Sequence, residues 1–92
     1  MNITFDPAKR AAALRDRGLD FADASKVFAT DVFEIEDNRF DYGERRIMCF
    51  GMLDDRLVVV GYVQRGESRH IFTMRKANDR EKKRFGQRLG QS

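Results

Sequence analysis

The apolar run Leu57–Val63 constrains the fold of this 92-residue chain more than any other segment. Its side chains are apolar at consecutive positions rather than alternate ones, which is the pattern of a strand buried on both faces. Four of its seven residues are valine, and β-branched side chains favour strands. We therefore predict that this run forms the central strand of a sheet.

Helix signals precede the sheet. Residues 2–5 read as a short strand, after which Asp6 can cap a helix that begins with Pro7, where the missing N–H of proline costs nothing. Gly18 predicts the end of this helix, and Asp20 reads as the cap of a second, shorter one. The apolar residues of the second helix recur at helical spacing: Phe21, Ala24, Val27 and Phe28.

Further strands surround the central one. Residues 46–53 predict a strand, with Asp54-Asp55 as a hairpin turn, and 32–36 is a weaker candidate. A turn over 65–68 leads to the last strand, 69–75. Asn78 and Glu81 then form a capping-box pattern that opens a basic helix, whose thin apolar stripe is Phe85 and Leu89. The order β-α-α-β(3–4)-α predicts one compact α+β domain over residues 1–92.

Composition limits the classes of function. The chain is 41% hydrophobic and 36% charged, with no apolar stretch as long as the roughly 20 residues of a membrane span. With one cysteine (Cys49) and one histidine (His70), we expect neither a disulfide framework nor a transition-metal site, and no cofactor. A reducing, cytoplasmic location fits best, since the start of the chain has no secretory signal pattern.

Charge is distributed unevenly along the chain. Residues 1–44 carry 6 Lys/Arg and 10 Asp/Glu, whereas residues 45–92 carry 12 Lys/Arg and 5 Asp/Glu. A basic half suits a polyanion, RNA above all, or an acidic protein partner. The alternative is that these charges only keep a small domain in solution.

Alternation along the last strand separates two groups of side chains. Arg69, Ile71, Thr73 and Arg75 share one face, and His70, Phe72 and Met74 share the other. If the second group faces the core, Thr73 and Arg75 stand on the open face about 6 to 7 Å apart and can share one phosphate. We predict Arg75 as an electrostatic clamp. The alternative is that Arg75 pairs with a carboxylate such as Glu44.

Three other residues are candidates for catalysis. His70 can exchange a proton near neutral pH, although a packed, hydrogen-bonded histidine is the alternative. Lys9, in the first turns of the first helix, can reach a phosphate or act as an acid or base, or it is simply exposed. Arg46 opens its strand beside an acidic loop, where it binds RNA or forms an ion pair.

The basic helix predicts a nucleic-acid footprint or a docking surface for an acidic partner, or else a solvated face. Tyr42, Phe40 and Tyr62 are aromatic residues available for stacking on bases. The candidate RNA-binding residues are Arg69, Thr73, Lys76, Arg80, Lys83 and Arg84.

Several short motifs together resemble one known family, the BrnT ribonuclease toxins of type II toxin–antitoxin systems. They are Phe5-Asp6-Pro7-x-Lys9, Gly18-x-x-Phe21, Ala24 with Val27-Phe28, Gly43-Glu44-x-Arg46 leading to Gly51, Ile71-Phe72-Thr73-Met74-Arg75-x-Ala77, and Glu81. The resemblance implies a RelE-like fold, a small antiparallel sheet flanked by helices. It also implies RNA cleavage that stops translation, neutralisation by a BrnA-type antitoxin, and contact with operator DNA only through that antitoxin.

The chain departs from the family pattern at a few positions. Members often have Asn where this chain has Ala13, His where it has Arg17, and Tyr where it has Phe85. They commonly have Arg where it has His70, or where it has Arg69 if the register is loose. Two hypotheses follow. The first is a metal-independent endoribonuclease that uses Lys9, Arg46 and Arg75. The second is a catalytically inactive module that docks an antitoxin–DNA complex through its basic half.

Overall fold

A computed structural model of the protein describes residues 2–89. The helices and strands follow the predicted order: β1 (Asn2–Phe5), α1 (Pro7–Arg17), a 3₁₀ turn (Phe21–Asp23) leading into α2 (Ala24–Phe28), β2 (Phe33–Glu36), β3 (Arg46–Leu53), β4 (Arg56–Arg65), β5 (Ser68–Lys76) and α3 (Asp79–Glu81), which continues as a π-helical turn (Lys82–Gly86). We refer to Asp79–Gly86 as the C-terminal helix.

The five strands form one sheet in the order β1-β5-β4-β3-β2, so β4 is central, as its apolar run predicted. Strands β2 to β5 pair antiparallel, whereas β1 pairs with β5 in parallel. The sheet is therefore mostly antiparallel. The exception arises because α1 and α2 lie between β1 and the other strands in the chain, and a parallel pairing needs such a crossover.

Local signals set the ends of the first helices as predicted. The Asp6 side chain accepts a hydrogen bond from the Ala8 backbone N–H at 2.8 Å, and Pro7 is the first helical residue. Gly18 ends α1 at φ 68°, a left-handed conformation that glycine adopts without steric cost. Asp20 caps the following 3₁₀ turn through the Ala22 N–H.

Two apolar layers cover the sheet because β4 alternates between them. On the first face, Val58, Val60 and Tyr62 pack against α1 and α2. On the second face, Leu57 and Val59 pack beneath the C-terminal helix. That helix contributes Phe85, whose ring lies 4.5 Å from Phe50 and 5.4 Å from Phe33 between ring centroids.

A β-bulge in β5 overturns the predicted alternation of that strand. Gly61 pairs with Thr73 but Tyr62 pairs with Ile71, so Phe72 is an extra residue in the ladder. As a result Ile71 lies in the first-face core together with Met74, instead of on the face of Thr73 and Arg75. Gly61 accommodates the bulge, since a Cβ there would stand 2.7 Å from Phe72 Cζ.

The β3–β4 turn and the cap that follows β5 agree with the sequence. Asp54 and Asp55, at φ 49° and 64°, form the β3–β4 turn, the conformation of a tight hairpin that Asn and Asp tolerate. Asn78 and Glu81 form the predicted capping box: the Asn78 side chain accepts from the Glu81 N–H at 2.8 Å, and the Glu81 carboxylate accepts from the Asn78 N–H at 3.0 Å.

Candidate functional site

The C-terminal helix covers only part of the second face. The register places Thr4, His70, Val63 and Arg46 in one row across β1, β5, β4 and β3. Of these, Thr4 is exposed and His70 and Arg46 are half-buried. We call this row, together with the bulge residue Phe72, the open half of the sheet.

Arg46 is held between two aromatic rings on the open half. Its guanidinium carbon lies 4.0 Å from the Tyr42 ring centroid and 4.6 Å from the Phe72 centroid. Stacking on a ring face leaves the N–H donors at the edges of the guanidinium free for an anion. Among the described residues Arg46 has no carboxylate within 4.0 Å, while its neighbour Arg45 pairs with Glu36. The ion-pair alternative for Arg46 therefore does not hold in this structure.

The loop before β3 fixes the Tyr42 side of this stack. Asp37 accepts hydrogen bonds from Nε and Nη2 of Arg39, each at 2.9 Å, and from the Tyr42 hydroxyl at 3.2 Å. These donors, Arg39 first, hold the pKa of Asp37 at about 2. The backbone N–H of Asp37 also donates to the Arg46 carbonyl at 2.8 Å. The loop is thus anchored to the strand that carries Arg46.

His70 lies on the same open half and is oriented by β1. Its Nδ1 is 2.9 Å from the Thr4 hydroxyl, across the parallel pairing of the two strands. Two strand spacings separate His70 from Arg46, which is about 10 Å between Cα atoms. The alternation had placed His70 among apolar side chains, on the face of Met74. In the structure His70 is half-buried and lies on the opposite face from Met74.

A groove of about 180 Å³ adjoins the open half along α1. Phe72 and Thr73 of β5 form one wall of the groove, and Lys9, Ala13 and Arg17 of α1 lie on the other. Arg17 Nη1 donates to the Met74 carbonyl at 3.0 Å and approaches the Thr73 hydroxyl at 3.5 Å. Because the Phe72 ring also contacts Arg46, the groove and the arginine stack share a wall.

Arg75 lies apart from this region. Arg75 pairs with Val59 of β4, whereas Arg46 pairs with Val63 of the same strand. Val59 and Val63 are four residues apart, which is about 13 Å along β4. The two Nη atoms of Arg75 donate to the two carboxylate oxygens of Glu81 at 2.8 and 2.9 Å. The bond to Arg75 lowers the pKa of Glu81. The alternative that Arg75 pairs with a carboxylate therefore holds, but the partner is Glu81 rather than Glu44.

Thr73 and Arg75 share a face of β5, as predicted, but their side chains have different hydrogen-bond partners. Thr73 lines the groove beside Arg17, whereas the Arg75 guanidinium turns to the C-terminal helix. The bulge at Phe72 precedes both residues and leaves them on one face, and the carboxylate of Glu81 is what draws the Arg75 guanidinium away from Thr73.

The remaining predicted RNA-binding residues lie on two separate surfaces. Arg69 is on the first face, where its guanidinium carbon lies 4.5 Å from both the Phe28 and the Tyr62 ring centroids, and its buried Nε has no hydrogen-bond partner. The others are exposed at the end of β5 and along the C-terminal helix: Lys76, Arg80, Lys83 and Arg84.

Within the described residues, no three His, Cys, Asp or Glu side chains are grouped to hold a metal ion. None of the helices in that part of the chain is both long and apolar enough to span a membrane. Cys49 is fully buried, and burial raises the pKa of its thiol to about 12.

Sequence patterns had missed three members of the site: Thr4, Arg17 and Phe72. One signal for Phe72 was present, since a glycine inside an apolar strand often marks a bulge or a close approach, and Gly61 is such a glycine. Thr4 and Arg17 contact residues of β5 that are far from them in the sequence. No local sequence pattern reports such contacts.

The fold and its cation-bearing site define a small α+β domain suited to an anionic ligand. The family model described as the ribonuclease toxin BrnT of type II toxin–antitoxin systems matches residues 5–81. The chain belongs to this family of ribonuclease toxins. No curated protein matches the chain.

Proposed function

We propose that the protein is a metal-independent endoribonuclease whose reaction centre is the open half of the sheet together with the α1 groove. The observation that carries the proposal is Arg46, fixed between Tyr42 and Phe72 with no carboxylate within 4.0 Å among the described residues. Lys9 lies across the shared Phe72 wall, and His70 lies in the same row as Arg46. In this proposal these groups act on one phosphate of a bound RNA strand.

In the proposed step the 2′-hydroxyl of a ribose attacks the adjacent phosphorus. The bond to the 5′-oxygen breaks, and that oxygen takes up a proton, so the products are a 2′,3′-cyclic phosphate and a 5′-hydroxyl end. His70, held by Thr4, is placed to accept the proton from the attacking hydroxyl. Arg46 and Lys9 stabilise the charge that develops on the phosphate oxygens.

We assign the outer cations to the rest of the RNA strand. Thr73 continues the groove, and Lys76, Arg80, Lys83 and Arg84 lie beyond it, exposed to solvent. Contacts of this kind supply affinity that falls with salt and carry little sequence information. Arg75 supports this track by holding Glu81, and with it the start of the C-terminal helix.

A type II toxin has an antitoxin partner, and we propose that this partner is of the BrnA type. In this proposal the free toxin cleaves RNA in the cytoplasm and so inhibits translation. The antitoxin blocks that activity, and the complex reaches operator DNA only through the antitoxin.

Cleavage of a single-stranded RNA by the purified chain in EDTA tests the enzymatic proposal. We expect products that end in a 2′,3′-cyclic phosphate, and a rate about 100- to 1,000-fold lower for Arg46→Ala, the usual effect of removing one donor to a developing negative charge. Lys9→Ala and His70→Ala should also slow cleavage. Activity that requires an added metal, or that survives all three substitutions together, would overturn the proposal.

The second candidate is an inactive module that only docks an antitoxin. Ala13 and Arg17 favour it, because the groove carries these residues where the family often has Asn and His. A folded chain that binds an antitoxin tightly but leaves RNA intact would select this function. If Ala13→Asn and Arg17→His together then produced cleavage, the groove would be the reason for the inactivity.

A further inference from the structure

Phe40 is the most exposed large apolar side chain of the described residues, at 69% of its surface. Its ring contacts Tyr42 edge to face, with centroids 5.8 Å apart. Tyr42 in turn stacks on Arg46, and Arg46 on Phe72. Phe40 is therefore the outer end of a continuous column of rings and guanidinium, and it is exposed, whereas Tyr42, Arg46 and Phe72 are half-buried.

We propose that Phe40 is a stacking platform for a nucleobase of single-stranded RNA next to the phosphate held by Arg46. This inference rests on the proposed function, which supplies the RNA. The two steps from Phe40 to Tyr42 and from Tyr42 to Arg46 keep the Phe40 ring within about 10 Å of the guanidinium. A base and the phosphate beside it can thus be bound at once.

The chemistry around Phe40 fits a nucleotide better than an apolar ligand. Arg39 and Arg45 are paired with Asp37 and Glu36, so the cation available to an anionic backbone beside Phe40 is Arg46, which has no carboxylate within 4.0 Å among the described residues. Tyr62 and Tyr42 are not available in the same way, since Tyr62 is 5% exposed and Tyr42 is held in the column. A ring on a solvent-exposed loop can stack on a base only where that base is unpaired, which selects single-stranded RNA.

The test uses a 2′-O-methyl RNA oligonucleotide, which cannot be cleaved, containing the fluorescent base 2-aminopurine. We expect the native chain to quench its fluorescence and Phe40→Ala to bind about five- to tenfold more weakly with the quenching lost, the lower range for one stacked base. Phe40→Trp should restore both readouts, whereas Phe40→Leu should not. Leu14→Ala is the matched control, because Leu14 is also exposed, at 43%, but lies on α1.

Binding by Phe40→Ala or Phe40→Leu within twofold of the native value would overturn the proposal, as would absence of binding by the native chain. If Phe40→Ala instead lost only its affinity for an antitoxin, Phe40 would belong to a protein interface. Cleavage of the matching all-RNA oligonucleotide is measured in parallel. If the native chain cleaves this RNA and Phe40→Ala binds as tightly as the native chain, only the stacking inference is refuted. If the native chain does not cleave it, the nuclease proposal is refuted.

Discussion

The bidentate contact between Arg75 and Glu81 should make Arg75 a residue of stability more than of catalysis. Arg75→Ala removes two charge-assisted hydrogen bonds and leaves Glu81, whose side chain is 17% exposed, without its cation. Such bonds contribute about 1.5–3 kcal/mol each when protected from water. Because the Arg75 side chain is 36% exposed, we expect a coupling of only about 1–2 kcal/mol between the two residues.

A double-mutant cycle measures this coupling. Arg75→Ala, Glu81→Ala and the double variant are unfolded in urea to measure the free energy of unfolding. The loss in the double variant should be smaller than the sum of the two single losses, and the difference is the coupling. A change of 1 kcal/mol shifts the melting temperature of a domain this size by about 4–8 °C. Glu81→Gln is the matched control, since glutamine keeps the capping box but removes the charge. Coupling below about 0.5 kcal/mol would refute the structural role.

Cleavage rates of the same variants distinguish stability from catalysis. If Arg75 acts structurally, Arg75→Ala and Glu81→Ala should lower cleavage to a similar, small extent at a temperature where both are folded. If Arg75 stabilises the transition state, Arg75→Ala should lose 100-fold or more while Glu81→Ala, which frees the guanidinium, stays active. The second pattern would refute our assignment.

Three further predictions concern the core and the N-terminal half. Gly61→Ala should destabilise the fold by about 1–3 kcal/mol in urea unfolding, because the new Cβ meets Phe72 Cζ at 2.7 Å. Arg10 holds the pKa of Asp20 at about 2, below its ordinary 3.8. The ionised Asp20 therefore stabilises the fold, and this stabilisation is lost as pH falls from about 4 to about 2. Asp20→Asn should weaken the pH dependence of the melting temperature in that window. The thiol of Cys49, with its pKa raised to about 12 by burial, should react with iodoacetamide only after unfolding.

Each of these has a result that contradicts it. A Gly61→Ala variant as stable as the native chain would mean that Phe72 moves away without cost. An unchanged acid transition in Asp20→Asn would show that the Asp20 carboxylate does not contribute to the pH dependence of stability. Labelling of native Cys49 at the rate of the unfolded chain would show that the core opens.

Local sequence signals predicted the elements because their causes are local. The Asp6-Pro7 start and the Gly18 end of α1 are set by backbone groups within one turn. Asp54-Asp55 was readable for the same reason, as Asp tolerates the left-handed conformation of a hairpin turn. The position of β4 followed from apolar side chains on both of its faces.

The faces of β5 could not be predicted, because one inserted residue reverses them and its place depends on pairing with β4. The Arg75 error has a related cause. Glu81 was recognised as a capping residue, but its carboxylate also binds Arg75, and a local pattern does not report a second partner. The aromatic stack on Arg46 joins a loop residue to the bulge, two features set by tertiary structure.

Mapping of 5′ ends in cellular RNA, after this chain is induced alone in a bacterial host, tests the central proposal most directly. We predict new ends with the native chain, loss of those ends with Arg46→Ala, and their retention with Arg45→Ala, whose side chain pairs with Glu36. Far-UV circular dichroism establishes that all three proteins are folded. Absence of new ends from the folded native chain, or the same ends from Arg46→Ala, would contradict the proposal that Arg46 is the centre of a ribonuclease site.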